Sequence, residues 1–263
     1  MDLTSLRTRY DRQLRIGARP DGPGARVERD GLVVRQTGPA HGWNGVLWSG
    51  LGPYDADAAI AAQIRHFRAA GRTFEWKLHG HDGPADLAAR LLAAGFTPEE
   101  EETVMVAEAT ALPVHEGLPE GVEIRPVTDE TGVRMVVEVH ERAFGTDSSA
   151  LGRRLLDQLA AAPGTVAAVV ALAHGEPVSA ARLDLQPGTD FAGLYGGGTV
   201  APWRGRGLYR ALVTHRAHLA AARGYPYLQV DAAPTSRPIL ARLGFEELTT
   251  TTPYVYEAGA AAG

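Results

Sequence analysis

The sequence predicts an α/β (mixed α+β) protein made of two tandem, related halves. Three observations carry that reading. Strand-like and helix-like segments alternate along nearly the whole chain. The stretch Ala111–Gly121, with two prolines and two glycines, breaks the pattern near the middle. The same order of elements, with the same punctuation, stands on both sides of that break. The expected domains are therefore 1–112 and 122–258, joined by a linker at 113–121.

In the first half, Asp2–Ile16 has Leu3, Leu6, Tyr10 and Leu14 near helical spacing. Asp30-Gly31 sits between two apolar-alternating arms over Arg26–Gln36, which is a hairpin signal. Val46–Leu51 reads as a strand. Asp55–Ala70 reads as a helix capped by Asp55 and ended by Gly71. Strand Thr73–Leu78, helix Ala85–Ala94 and strand Glu102–Ala107 complete the half. In the second half, Val122–Arg125 is a strand expected to stop at Pro126. Glu130–Ala143 and Ala150–Ala160 are helical, and Thr165–Ala173 and Val178–Leu185 form a hairpin about His174–Pro177. Strand Phe191–Val200, helix Gly207–Ala222, strand Tyr227–Val230, short helix Ser236–Arg242 and the Thr/Tyr-rich stretch Glu247–Tyr256, a terminal strand pair or one bent strand, follow. The repeat is one of order: Leu92-Ala93-Ala94-Gly95-Phe96 holds the place of Ala241-Arg242-Leu243-Gly244-Phe245. The Ala/Gly tail, 258–263, is expected to fray.

Composition excludes several classes. The formal net charge of -5 argues against nucleic acid as a partner. The absence of cysteine removes disulfides, thiolate metal sites and a cysteine nucleophile. No run reaches the ~18 apolar residues of a membrane span, and Met1–Tyr10 lacks the apolar centre of a secretory signal. The expectation is a cytoplasmic protein with no membrane partner and no metal. His79-Gly80-His81-Asp82, His215 with His218, and Glu99–Glu102 read respectively as turn residues, a solvated helix face and a solvated charge run. Asp184 reads as an exposed strand residue, and Trp43, Trp48 and Trp76 as core of the first half.

The chemistry-bearing stretch is Tyr195–Leu212, where a strand enters a glycine-rich turn and a helix begins directly after it. The first N–H groups of a helix have no intrahelical acceptor, and the helix dipole adds partial positive charge there. Gly205 and Gly207 let an anion approach the backbone, and Arg204 and Arg206 add charge. No Gly-Lys-Ser/Thr follows, and the dinucleotide glycine spacing fails. Taken alone, the stretch also fits a plain surface turn.

In context it resembles the pyrophosphate loop of the GNAT N-acetyltransferase superfamily, Arg/Gln-x-x-Gly-x-Gly/Ala. Arg204, Gly205, Arg206, Gly207 and Leu208 fit, and Tyr209 departs from the usual small residue. The resemblance runs across Val122–Tyr256 and includes Leu243-Gly244-Phe245. It implies an acyl-CoA N-acyltransferase-like fold with a central mixed, mostly antiparallel sheet. It also implies acetyl-CoA as co-substrate, with backbone groups of Thr199, Val200 and Ala201 on the pantetheine. N–H groups from Arg204 to Arg210 would hold the pyrophosphate, and Ser236 would also line the cofactor site. The first half, with Val46–Tyr54 in place of the loop and Asp55 at its helix start, resembles a degenerate copy without cofactor binding. The implied reaction is acyl transfer to an amine of a small-molecule or peptide acceptor. The tyrosine acid that many members carry on the short helix is replaced here by Leu240. Tyr195, Asp231 and Tyr254 are the candidate substitutes, and a non-enzymatic acyl-CoA-binding or sensing protein is the alternative. The acceptor and the oligomeric state are not legible.

Overall fold

The structure is a computed structural model that describes residues 1–113 and 117–258. Residues 114–116 of the expected linker and all but the first residue of the expected frayed tail lie outside the described residues. The chain forms two compact units, and their boundary interleaves along the sequence. The first contains 1–104, 231–234 and 247–263; the second contains 105–230 and 235–246.

The first unit opens with α1 (Leu3–Tyr10), capped by the Asp2 carboxylate on the N–H groups of Thr4 and Ser5. It continues as a π-helical stretch over Asp11–Ile16, a widening that often marks a functional or strained segment. Strands β1 (Arg26–Asp30) and β2 (Val33–Thr37) form the expected hairpin, with Gly31 at φ +59°. Next come β3 (Gly45–Ser49), α2 (Ala56–Ala69), β4 (Phe74–His79) and α3 (Leu87–Ala93). Asp55 holds the N-cap position that the sequence suggested, but its carboxylate makes no capping bond and instead accepts from the N–H of Gly52 at 3.3 Å. A two-residue strand, β5 (Thr97–Pro98), precedes β6 (Glu102–Glu108). The core gathers Phe67, Phe74, Trp76, Leu87, Leu91 and Phe96, with the rings of Phe67 and Phe74 stacked at 4.2 Å.

The second unit runs β7 (Val122–Val127), α4 (Glu130–Phe144), α5 (Ser149–Ala161), β8 (Val166–Ala173), β9 (Glu176–Leu185) and β10 (Phe191–Thr199). It finishes with α6 (Leu208–Ala222), β11 (Tyr227–Ala232) and α7 (Arg237–Arg242). β7 does not stop at Pro126, which pairs in register with Val169. At the end of the strand order a proline's missing N–H interrupts no second ladder. On α4, Val133, Val136 and Val139 recur at helical spacing and pack with Leu155 of α5 against β8 and β9. β8 and β9 are buried almost without alternation, as expected of strands covered on both faces.

Each unit has a mixed, mostly antiparallel sheet. In the first, β1-β2-β3 are antiparallel, β3 and β4 are parallel across α2, and the next partner of β4 is antiparallel. In the second, β7-β8-β9-β10 are antiparallel, and β10 and β11 are parallel across α6. The order is therefore repeated, but its last member is exchanged. The antiparallel partner of β4 is β12 (Glu246–Tyr256), from the far end of the chain, while Met105–Glu108 of β6 belong to the second unit. The last strand thus leaves the half to which 122–258 had assigned it.

Candidate functional site

The site in the second unit begins where β10 and β11 part. They pair only over Phe191–Gly193 and Tyr227–Gln229. Beyond that point β10 makes a bulge against β9 between Tyr195 and Gly198, and Gly196 takes φ +57°. The run Gly196-Gly197-Gly198 makes room for rings. A side chain at Gly197 would meet Tyr209 Cε2 at 3.3 Å, and one at Gly198 would meet Phe144 Cε2 at 3.1 Å. His140 lies 3.6 Å from the same position on Gly196, and its Nε2 donates to the Gly196 carbonyl at 2.9 Å. Burial holds that imidazole below its usual pKa, so it stays neutral and serves as a fixed donor.

A short 3-10 turn, Ala201–Trp203, leads from β10 into the loop. Gly205 and Gly207 adopt φ +75° and +84°, a region that favours glycine. Gly207 is the N-cap of α6 and offers no side chain. The first loop-to-helix bond runs from Ala211 N–H to the Gly207 carbonyl, so Leu208, Tyr209 and Arg210 present N–H groups with no acceptor earlier in the helix. Arg206 stacks over the Trp203 ring at 4.7 Å and is exposed. The loop is therefore an anion cradle of backbone donors, dipole and one stacked cation.

Two expectations need correction. Arg204 does not contribute an N–H, since that group bonds the Ala201 carbonyl at 3.2 Å. Its guanidinium also staples the loop, giving Nε to the Thr199 carbonyl and a terminal nitrogen to the Ala143 carbonyl. Val200 does not offer its N–H to a ligand either, because it donates to Val178 at 3.0 Å. Backbone groups alternate sides along an antiparallel strand, so Thr199 faces the side from which β11 has departed.

Tyr195 spans the start of the parting: its hydroxyl accepts from Gln229 Nε2 of β11, and its ring leans back against Gly193, under Arg182. Asp184 is an ion-pair partner of Arg182 at 2.7 Å and is mostly buried, not the exposed residue expected. Arg216 of α6 is fully buried and donates to the carbonyls of Leu212, Arg182 and Tyr195, and burial pulls its pKa down to about 10. It ties α6 to the bulged strand. Tyr209 hydrogen-bonds Ser236 at the start of α7, and burial raises its pKa. Leu240 is fully buried.

Asp231 and Tyr254 belong to the first unit and Tyr195 to the second. Asp231 lies on β11, one residue beyond where the sequence ended that strand, and its carboxylate pairs with Lys77 of β4. Tyr254 is a buried core residue, opposite Trp76 in register. Around Lys77 the structure gathers a carboxylate group that the sequence did not reveal. Glu75 is half-buried and accepts from Trp43 Nε1 at 2.7 Å, and desolvation raises its pKa. Burial, Asp231 and Glu75 push Glu102 up to about 7 against the pull of Lys77. Glu102 is thus no part of a solvated run.

A second buried network also escaped the sequence. Arg15, on the π-helical stretch, pairs with Asp82 at 2.6 Å and Asp11 at 2.7 Å. His81 joins Asp11 at 2.8 Å, and Tyr10 lies 3.2 Å from His79. Its bonded partners are up to 70 residues apart, so no local pattern announces it. Among the described residues no group of His, Cys, Asp or Glu could hold a metal, and no helix is long and apolar enough to cross a membrane.

No family model matches the sequence, and no curated protein matches it. Solved structures do. A GCN5-related N-acetyltransferase from Kribbella flavida is 20% identical, over 99% of this chain and 98% of its own, with a TM-score of 0.72. A tandem GNAT protein from the clavulanic acid biosynthesis pathway is 16% identical over 93% of this chain and 87% of its own, with a TM-score of 0.63. A GCN5-related N-acetyltransferase from Sphaerobacter thermophilus is 17% identical over 86% and 77%, with a TM-score of 0.60. At these identities the likeness is one of fold.

Proposed function

We propose that this chain, which carries the fold of the GCN5-related N-acetyltransferases, is an acetyl-CoA-dependent N-acetyltransferase whose donor site lies in the second unit. The observation that carries the reading is the pairing of the parted strands β10 and β11 with the anion cradle at Gly205–Arg210. Ligands of open α/β sheets bind outside the carboxyl ends of parallel strands, and β10 and β11 are such a pair. The cradle suits a pyrophosphate, and the open flank of β10, with Thr199 facing it, suits an extended pantetheine arm.

The corresponding β3-to-α2 connection in the first unit does not suit an anion. It carries no basic residue between Gly50 and Asp55, and Asp55 and Asp57 stand at the helix start. One donor site per chain follows. The acceptor is an amine of a small molecule or peptide.

The second reading, a CoA-binding sensor without turnover, draws on the buried Leu240 where the resemblance places an acid. Titration calorimetry with acetyl-CoA is expected to give about one site per chain. Thiol release on mixing acetyl-CoA with a panel of primary amines is expected if the chain is an enzyme. Binding without thiol release across the panel favours the sensor, and no binding removes both readings.

A further inference from the structure

We propose that Tyr209, held by Ser236, is the proton donor to the leaving thiolate, an assignment that rests on the acyltransferase reading above. Tyr209 stands at the second position of α6, where the loop motif calls for a small residue. Its ring faces Gly197, an exposed position on the unpaired part of β10, at 3.3 Å from where a side chain would begin. Its hydroxyl bonds Ser236, four residues past the end of β11. The side chain therefore reaches from one parted strand to the segment that follows the other, across the opening that would hold the thioester.

Two alternatives are weaker on geometry. Leu240 is apolar and fully buried. Tyr195 has its hydroxyl engaged by Gln229, and its ring is folded toward Gly193, where the strands are still paired. The charge that acts on Tyr209 is the guanidinium of Arg216 on the same helix, which itself feels Asp184. Burial keeps the phenol protonated across neutral pH. Either hydroxyl of the Tyr209–Ser236 pair can donate; when Ser236 donates to the phenol oxygen, the phenolic proton is left to point at a ligand.

The step balances as follows. The amine nitrogen bonds to the acetyl carbon, the C–S bond breaks, and its electron pair goes to sulfur. Sulfur takes the Tyr209 proton, and the tyrosinate regains one from solvent through the Ser236 hydroxyl. The proton lost by the amine nitrogen passes to solvent, leaving amide and free CoA thiol.

Binding of CoA and desulfo-CoA, measured between pH 7 and pH 9.5, tests this without knowledge of the acceptor. A thiol ionises near pH 8.5. A hydroxyl aimed at the sulfur favours the thiolate, so the parent's preference for CoA over desulfo-CoA is expected to grow about tenfold with pH. Tyr209→Phe keeps the ring on Gly197 and should abolish that growth while binding acetyl-CoA within about twofold of the parent. Ser236→Ala should reduce it. With any amine the panel finds reactive, Tyr209→Phe should lower kcat about a hundredfold with little change in KM. A Tyr209→Phe protein, folded by circular dichroism, that keeps the parent's pH-dependent preference overturns the assignment. Loss of that preference in Tyr195→Phe instead also overturns it. If the parent binds neither CoA nor desulfo-CoA, the acyltransferase reading itself falls and this assignment with it.

Discussion

Gly207 and Arg206 separate two ways in which a loop can hold an anion. Gly207 sits at φ +84° directly before α6. A β-branched residue there is strained by roughly 1–3 kcal/mol and covers the N–H groups of the first turn. Arg206 is exposed and stacked on Trp203, so its charge is worth about 1 kcal/mol, or roughly fivefold in affinity. Gly207→Val is therefore expected to weaken acetyl-CoA binding by well over tenfold, and Arg206→Ala by only about fivefold. Calorimetric titration of both variants, with circular dichroism to confirm folding, checks the pair. Equal losses would show that charge, not backbone access, dominates. At this scale the sequence was informative where chemistry is local. The Arg204–Gly207 spacing announced the loop, but the second role of Arg204, bonding Thr199 and Ala143, depends on a residue 61 positions away. The oversized Tyr209 was visible in the sequence; its seat against Gly197 was not. The signal that was available is the triple glycine 196–198, which leaves space for three rings.

Along β4 and β6, charge is brought together by strand pairing. Lys77 cannot balance Glu75, Glu102 and Asp231 at once, and the deficit shows in Glu102, whose carboxyl is pushed up to about 7. Folded chains then bind a proton at Glu102 that unfolded chains have released. Between the ordinary value of 4.5 and about 7, this group's contribution to stability falls as pH rises. His79, buried and held well below its usual pKa, acts in the opposite sense as pH rises toward 6.5. The parent alone therefore does not reveal the carboxylate, and a comparison does. Glu102→Gln should match the parent near pH 5 and exceed it at pH 8 by on the order of 1 kcal/mol, since the side chain is partly in water. Urea midpoints at the two values check this; a constant difference between the proteins would place the strain elsewhere. Elements themselves were well legible, because helix and strand periodicity is a property of short windows. The misses came from context: β7 continues through Pro126 because of its place in the sheet, and the charge run ends in a half-buried residue because β6 begins there.

At the scale of the molecule, the repeated strand order was legible and the exchange of its last strand was not. Glu247–Tyr256 reads as strand from composition alone. Nothing in it names its partner, which is decided by which edge it completes. That edge is β4, paired over Thr251–Tyr256, and Tyr254 and Tyr256 add their rings to the Phe74, Trp76 and Phe96 cluster. Two aromatic side chains at such a seam stabilise by roughly 5–10 kcal/mol in buried area. That is comparable with the ~5–15 kcal/mol net stability of a whole domain. The first unit is therefore expected to need the C-terminal strand in order to fold. A fragment ending at Leu112 would keep every helix of that unit and lack only β12 and the short Asp231–Pro234 segment. It should show no cooperative urea transition and little near-ultraviolet dichroism. The same fragment extended through a glycine-rich linker by Glu246–Tyr256 should regain both. If the shorter fragment unfolds cooperatively, then β6 can take the place of β12 beside β4, and the exchange is a preference of the full chain with no bearing on whether the unit folds.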